Sequence, residues 1–291
     1  MIRAYLAAIG AAVAMAQSGV ISRLSGLAAA ELTFYRLFIG ALCLALFVSS
    51  RRQLWQLKIA PDRHTLFNGV MLACFMLAFL QAIQTLSLAN AILLVYLAPP
   101  LSAIIAHFYL HERLDAWSLC LVAGSFFGFA MLQEFKIDQF NGEQWLGFLF
   151  GLLSLFTYSG FLLLNRHSRG GHELQRTFYQ LLVGACCVVP FLPTWPLPTL
   201  SQLPYAIAAG LVPGFLAIYL AITALNQLPT RVFGTLAYVE PVTVILLGYC
   251  LFSETLSMLQ LAGVACIVGC GMAQAWHHSQ QSTDSAAKTA P

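Results

Sequence analysis

A glutamate followed by a proline interrupts an apolar stretch in the last fifth of this sequence. Residues 235–256 read TLAYVEPVTVILLGYCLFSETL, with Glu240-Pro241 near the middle and Glu254 near the end. A carboxylate at the centre of a membrane-spanning helix costs about 3 kcal/mol on insertion scales, so it normally faces a cavity, a partner or a substrate. Pro241 adds a break, because it has no N–H for the carbonyl of Ala237. The pair indicates a site inside a membrane rather than a passive anchor.

The composition assigns the chain to a structural class. Of its 291 residues, 59% are hydrophobic and 9% are charged, whereas about a quarter of the residues in an ordinary soluble domain are charged. Because apolar runs recur along the whole chain, the sequence predicts an all-α polytopic membrane protein. The net charge of +3 is then no argument for nucleic-acid binding, and we expect none. The first apolar run could imitate a signal peptide, but we expect it to be a retained span.

Ten candidate spans follow from the apolar runs. They lie near residues 4–22, 31–50, 66–88, 90–110, 117–133, 145–164, 176–193, 204–225, 231–252 and 258–275, and we number them one to ten. The segment 277–291 is polar and has no periodicity, so we expect a disordered tail.

The basic residues predict the orientation. With ten spans, both termini lie on one side, and cytoplasmic termini place eleven Lys and Arg residues inside and two, Arg23 and Lys136, outside. This positive-inside bias supports both the orientation and the count of ten. The eleven are Arg3, Arg51, Arg52, Lys58, Arg63, Arg113, Arg166, Arg169, Arg176, Arg231 and Lys288.

The chain is also an internal duplication. The segment AIQTLSLANAILLVYLAPPLSAIIAHFYLHERL matches ALNQLPTRVFGTLAYVEPVTVILLGYCLFSETL later in the sequence. Each half holds five spans, so the second copy must cross the membrane upside down, and inverted repeats with interrupted helices are typical of transporters with a site near the midplane. An offset of 142 residues recurs for three pairs: Tyr96 and Tyr238, Pro99 and Pro241, and Glu112 and Glu254.

The two halves resemble the paired EamA domains of the drug/metabolite transporter superfamily, over about residues 4–276. The resemblance rests on the proline in the fourth span of each half, the glutamate thirteen residues later, and the glycines of the closing spans (Gly124, Gly128, Gly263, Gly269 and Gly271). It implies a ten-helix carrier in the inner or plasma membrane, with cytoplasmic termini and a central cavity lined by spans one, three, four, six, eight and nine. Members export amino acids, other metabolites or drugs, and relatives move nucleotide-sugars or vitamins. We therefore expect repeats over 1–136 and 137–276.

Glu240 is the leading candidate for the cavity. Its counterpart in the first repeat is Ala98, so the site would hold one negative group, suited to an ammonium or to a proton that comes and goes. The alternative is a permanently protonated acid that bonds to the carbonyl that Pro241 leaves free. The next candidates are aromatic and amide side chains that could face the cavity or only tie helices together: Tyr238, Tyr96, Tyr158, Tyr219, Gln17 and Gln81.

Several residues have possible roles in movement or packing. Pro99, Pro100 and Pro241 are expected hinges. Arg36 lies inside span two and could be a gate, a carboxylate clamp, a poor i, i+5 partner of Glu31, or a snorkelling surface residue; His107 could relay protons. Glu112 and Glu254 follow spans four and nine, where we expect structural pins that pair with a basic residue or accept N–H groups.

The sequence contains few features of metal, cofactor or ATP chemistry. The eight cysteines form no CxxC pair and have no histidine at metal spacing, so we expect no metal and no cofactor. No phosphate-binding loop is present, so ATP would not drive this chain alone. The sequence favours alternating-access export of a small organic metabolite, an amino acid, an amine or a drug-like compound, coupled to protons or running by facilitated diffusion. Import, an intramembrane enzyme, and a membrane scaffold stay open as alternatives, as does a homodimer packed through glycines.

Overall fold

A computed structural model describes residues 2–109, 116–134, 142–167, 172–192, 198–228, 233 and 236–289. The described chain is helical, and the expected all-α architecture of ten helices is confirmed. Spans one to three are Ile2–Ser25, Ala29–Ser50 and Arg63–Ile83; span four comprises Leu88–Val95 and Ala98–Tyr109; spans five to seven are Ala116–Leu132, Gly142–His167 and Glu173–Val188; span eight runs from Leu203 to Leu225; span nine contains Val239–Phe252; and span ten is Met258–Thr289.

The helices have the lengths and surfaces of membrane spans. Within the described ranges, five helices, the longest of 24 residues, are long and apolar enough to cross a membrane. Large apolar side chains point away from the bundle, with Leu6 63%, Leu46 62% and Leu246 57% exposed. Such side chains on the outside of a helical bundle are typical of contact with lipid rather than water.

The two repeats interleave instead of standing side by side. Span five packs on span ten, span two on span seven, and span four on span nine, while span one packs on span eight as span three does on span six. Each of these contacts joins a helix of one repeat to a helix of the other. The set of contacts stays the same when the two repeats are interchanged, as expected for inverted repeats.

Glycines permit the closest helix approaches within the chain. A Cβ at Gly128 or Gly263 would meet the carbonyl of the other, which joins spans five and ten, and Gly40 and Gly214 join spans two and eight in the same way. These glycines therefore pack helices of the same chain against one another.

Both matched spans break on the N-terminal side of their prolines. Span four is interrupted at Tyr96-Leu97, and span nine has a turn at Tyr238 immediately before Val239–Phe252. A proline removes the backbone hydrogen bond to the carbonyl four residues earlier. The helix is therefore interrupted on the N-terminal side of the proline rather than at the proline ring itself. Span eight carries a further irregularity that the sequence analysis did not predict: residues Gly210–Leu216 around Pro213 form a π-helix.

The last helix continues into the polar segment. Helical backbone extends to Thr289, through most of the segment whose composition predicts disorder. The residues from His277 to Thr289 contain neither glycine nor proline, so nothing in them stops a helix that the apolar span has already nucleated.

Candidate functional site

The centre of the bundle is a hydrogen-bonded group that joins the two repeats. Tyr96 Oη of span four lies 2.9 Å from the carbonyl oxygen of Ala237 and 2.9 Å from Glu240 Oε2, both in span nine. The Ala237 carbonyl is the one that Pro241 cannot satisfy. It is therefore Tyr96, and not Glu240, that reaches the carbonyl left free by the proline.

One proton on Tyr96 serves two acceptors. A phenol donates a single hydrogen bond and accepts others. When Glu240 is ionised, Tyr96 can donate to the carboxylate; when Glu240 is protonated, the acid can donate to Tyr96 Oη while Tyr96 donates to Ala237. The geometry accommodates both charge states of Glu240 without moving a heavy atom.

Aromatic rings from both repeats surround this group. The Tyr96 and Tyr238 rings meet edge to face with centroids 5.2 Å apart, and Tyr158 of span six stacks on Phe75 of span three at 4.5 Å. Tyr158 also interacts electrostatically with Glu240. Tyr238 is 6% exposed and lies against Gly271 of span ten, where a Cβ would overlap the phenol. Of the predicted tyrosines, Tyr96 thus contacts Glu240 directly, and Tyr238 lies against Tyr96.

Arg36 brings a positive charge into the same region. It is 6% exposed, so of the alternatives for this residue the snorkelling one does not fit. Its Nη1 donates to Ser18 Oγ at 2.8 Å, its Nη2 lies 3.3 Å from Met15 Sδ, and its Nε has no acceptor among the described residues. Arg36 interacts electrostatically with Glu240 of the opposite repeat. Glu31, the awkward i, i+5 alternative, accepts the N–H of Ala28 at the start of span two, and the ion pair within 4 Å among the described residues is Arg23–Glu254.

A second polar group lies at the end of the bundle opposite the N-terminus. Glu254 Oε1 is 2.5 Å from Arg23 Nη1 and accepts the N–H of Leu88 at 3.0 Å. Arg23 Nη2 donates to the Leu86 carbonyl at 2.7 Å, and the guanidinium lies over the Phe252 ring. These contacts tie span one, the start of span four and the end of span nine.

A cavity opens beside that ion pair. Its volume is about 850 Å³, and its walls include Ser22, Gly26, Thr85, Ser87 and Phe252. The cavity lies at this end of the bundle, beside the Arg23–Glu254 ion pair.

Arg23 is the residue that the sequence analysis missed. It was counted only as one of two basic residues on the side where such residues are scarce. A basic residue on the side where the positive-inside rule makes such residues scarce indicates a specific role. Nothing in the sequence of span one, however, indicates that its partner lies 231 residues away.

The contacts that the structure shows for the other predicted residues are with residues outside the central group. Gln17 donates to Val13 of its own helix and Gln81 to Gln84, while Tyr219 packs on Phe47 at 4.8 Å. His107 lies edge to face with Phe108, and Glu112 lies outside the described residues. In the part of the chain that the structure describes, no group of His, Cys, Asp and Glu could hold a metal ion.

Comparison with known proteins gives relatives along nearly the whole chain. The EamA-like transporter family matches residues 2–133 and 145–272. A protein of Archaeoglobus fulgidus described as an uncharacterized transporter is 30% identical over 271 residues, which are 91% of this chain and 93% of that protein. The threonine/homoserine exporter RhtA of Escherichia coli is 26% identical over 251 residues, covering 82% of this chain and 79% of the exporter. A crystal structure with 23% identity has a TM-score of 0.67 and covers 95% of this chain and 98% of its own.

Proposed function

The chain belongs to the EamA-like transporter family, and we propose that it is a secondary transporter that exports a small organic metabolite by alternating access. An amino acid is the leading class, because RhtA, an exporter of threonine and homoserine by its name, is similar over 82% of the chain. The membrane is the plasma membrane, with both termini cytoplasmic, as the excess of basic residues on that side favours.

The bond between Tyr96 and span nine supports this function above all. It joins the interrupted span of one repeat to the interrupted span of the other, and it includes the buried carboxyl of Glu240. In inverted-repeat carriers, the substrate site lies between the repeats at such broken helices, and transport is the rocking of one repeat against the other. Pro99, Pro100 and Pro241 are the bending points, since each removes a backbone hydrogen bond from its span.

Two observations argue against the alternatives. A scaffold has no need for an ionisable side chain in the membrane interior, which is costly to insert. For an intramembrane enzyme the family match offers no support, because it is to a transporter family, and the described side chain that contacts Glu240 is Tyr96, whose hydroxyl also lies 2.9 Å from the Ala237 carbonyl. Import differs from export only in direction, and the relative named as an exporter favours export.

Efflux from preloaded cells tests the proposal. Cells that express the chain and are loaded with labelled amino acids should release at least one of them faster than cells that express Glu240→Gln. Val242→Ala is the matched control, because Val242 lies in the same span and is 42% exposed on the outside of the bundle. Equal efflux from the wild type and Glu240→Gln, across amino acids, amines and cationic drugs, would contradict the proposal.

A further inference from the structure

The guanidinium of Arg36 is short of acceptors. A guanidinium has five N–H donors in a planar fork that suits a carboxylate, and Arg36 is buried with one oxygen acceptor, Ser18 Oγ, and a thioether contact to Met15. Its Nε has no hydrogen-bond partner within the described ranges. Buried charges in proteins are normally paired and fully hydrogen-bonded. The unfilled donors are therefore a place for an anionic group that the protein itself does not supply.

The opposite charge is close but not in contact. Arg36 and Glu240 interact electrostatically, yet Arg23–Glu254 is the ion pair within 4 Å in the described chain. Glu240 is held instead by the hydroxyl of Tyr96 at 2.9 Å. Arg36 is buried and Glu240 is partly buried, and neither is paired with the other, so a dipolar molecule between them can pair with both.

Each repeat contributes one of the two charges. The residue that corresponds to Arg36 in the second repeat is Gln180, whose Nε2 donates to Asn165 Oδ1 at 2.9 Å, and the residue that corresponds to Glu240 in the first repeat is Ala98. A ligand bound to both Arg36 and Glu240 would bridge the repeats. Its binding would thus act directly on the interface that must rearrange during transport.

We propose that Arg36 binds the carboxylate and Glu240 the ammonium group of a zwitterionic amino acid. This assignment rests on the proposed function and narrows its substrate class. An amine would leave Arg36 unpaired in the membrane interior, and an organic anion would leave Glu240 unpaired, and each unpaired charge there is costly. A zwitterion has no net charge and satisfies both groups at once. The rings of Tyr96, Tyr158 and Tyr238 remain to contact its side chain.

Modified ligands test the two subsites on the unaltered protein. The purified full chain in detergent would be titrated with neutral L-amino acids that include threonine, and with the amide and the N-acetyl derivative of each, with thermal stabilisation as the readout of binding. The amide keeps the ammonium group and loses the carboxylate; the N-acetyl derivative does the reverse. Because a hydrogen bond to a charged group is the stronger kind, each derivative should bind about 10- to 100-fold more weakly than its parent.

Two variants assign the subsites to residues. Arg36→Gln, which installs the residue that the second repeat carries at this place, should bind the parent and the amide equally; Glu240→Gln should bind the parent and the N-acetyl derivative equally. Gln180→Met is the matched control: it removes a buried polar group at the corresponding place and should leave both ratios as in the wild type.

The outcomes separate this proposal from the function on which it depends. Wild-type protein that binds an amide as tightly as its parent amino acid would overturn the role of Arg36, and wild-type protein that binds none of the amino acids would overturn the zwitterion site as a whole. Liposomes that contain the protein would then be tested for counterflow of amines and drugs. Transport of an amine or a drug would support the carrier function and contradict the zwitterion site. Absence of transport for every compound would contradict both the carrier function and the zwitterion site.

Discussion

The hydroxyl of Tyr96 lies 2.9 Å from the carbonyl of Ala237, 141 residues later in the chain. That carbonyl is free because Pro241 has no N–H to offer it. The defect in one repeat is thus satisfied by a side chain of the other, at the residue where span four is itself interrupted. The helix breaks at Tyr96 in span four and at Tyr238 in span nine are therefore linked to each other at the centre of the bundle.

Tyr96→Phe tests this link. The substitution removes the donor from the Ala237 carbonyl and the Glu240 carboxyl while it keeps the ring against Tyr238. A buried polar group left without a partner costs about 1–3 kcal/mol, so the free energy of unfolding should fall by about that amount and transport should slow. Thermal unfolding and counterflow measure the two effects. Tyr249→Phe, the same change on a side chain that is 63% exposed on span nine, should be neutral; equal melting of the two variants would show that the Tyr96 hydroxyl stabilises nothing.

Pro241→Ala separates a hinge from a structural kink. Alanine restores the N–H that the Ala237 carbonyl lacks, so the helix can close its ladder and compete with Tyr96. We expect thermal stability to be kept or raised and the transport rate to fall severalfold. Pro204→Ala is the control, because Pro204 lies in the first turn of the helix Leu203–Ala209, where an N–H would have no partner in the helix anyway. A normal transport rate in Pro241→Ala would mean that Pro241 is not a bending point.

The sequence was sufficient for features that repeat or have a local cause. The apolar runs define ten spans because each must satisfy its own backbone in lipid, and the offset of 142 residues pairs Tyr96 with Tyr238 because the repeats share their breaks. Prolines and a carboxylate in apolar runs are rare enough to indicate a site by themselves. These signals predicted the helices, the tyrosine that contacts Glu240 (Tyr96) and the tyrosine that lies against it (Tyr238).

The remaining features depend on which helices become neighbours. Arg36 contacts Ser18 and Met15 because its long side chain reaches across to span one, and no periodicity in either span encodes this contact. The ion pair of Arg23 with Glu254 joins the first span to the ninth. The π-helix around Pro213 is a further case: a proline inside a helix can produce a kink, a break or a bulge, and the choice depends on packing against span two.

The ion pair of Arg23 with Glu254 should keep the cavity beside it closed for part of the time. Glu254→Gln keeps an acceptor for the Leu88 N–H but removes the attraction to Arg23, so the cavity beside it should open more often. In a variant without the native cysteines, Ser22→Cys would report this through its rate of labelling by a membrane-impermeant maleimide. Labelling should rise severalfold in Glu254→Gln, and the double variant Arg23→Glu with Glu254→Arg should bring it partly back, since the attraction returns but the acceptor does not. A double variant as open as the single one would contradict an electrostatic closure.

Gly271 offers a test of the central site without a change to any of its polar atoms. A Cβ at position 271 would overlap the phenol of Tyr238, whereas a Cβ at Gly269, on the same helix, would meet nothing within 4 Å. Alanine in a helix is otherwise more stable than glycine by about 0.5–1 kcal/mol. Gly269→Ala should therefore raise the melting temperature slightly, while Gly271→Ala should lower it and slow transport, because Tyr238 must leave its place beside Tyr96. Parallel gains in stability for the two variants would show that the Tyr238 side chain is free to move, and that its contact with span ten does not position the site.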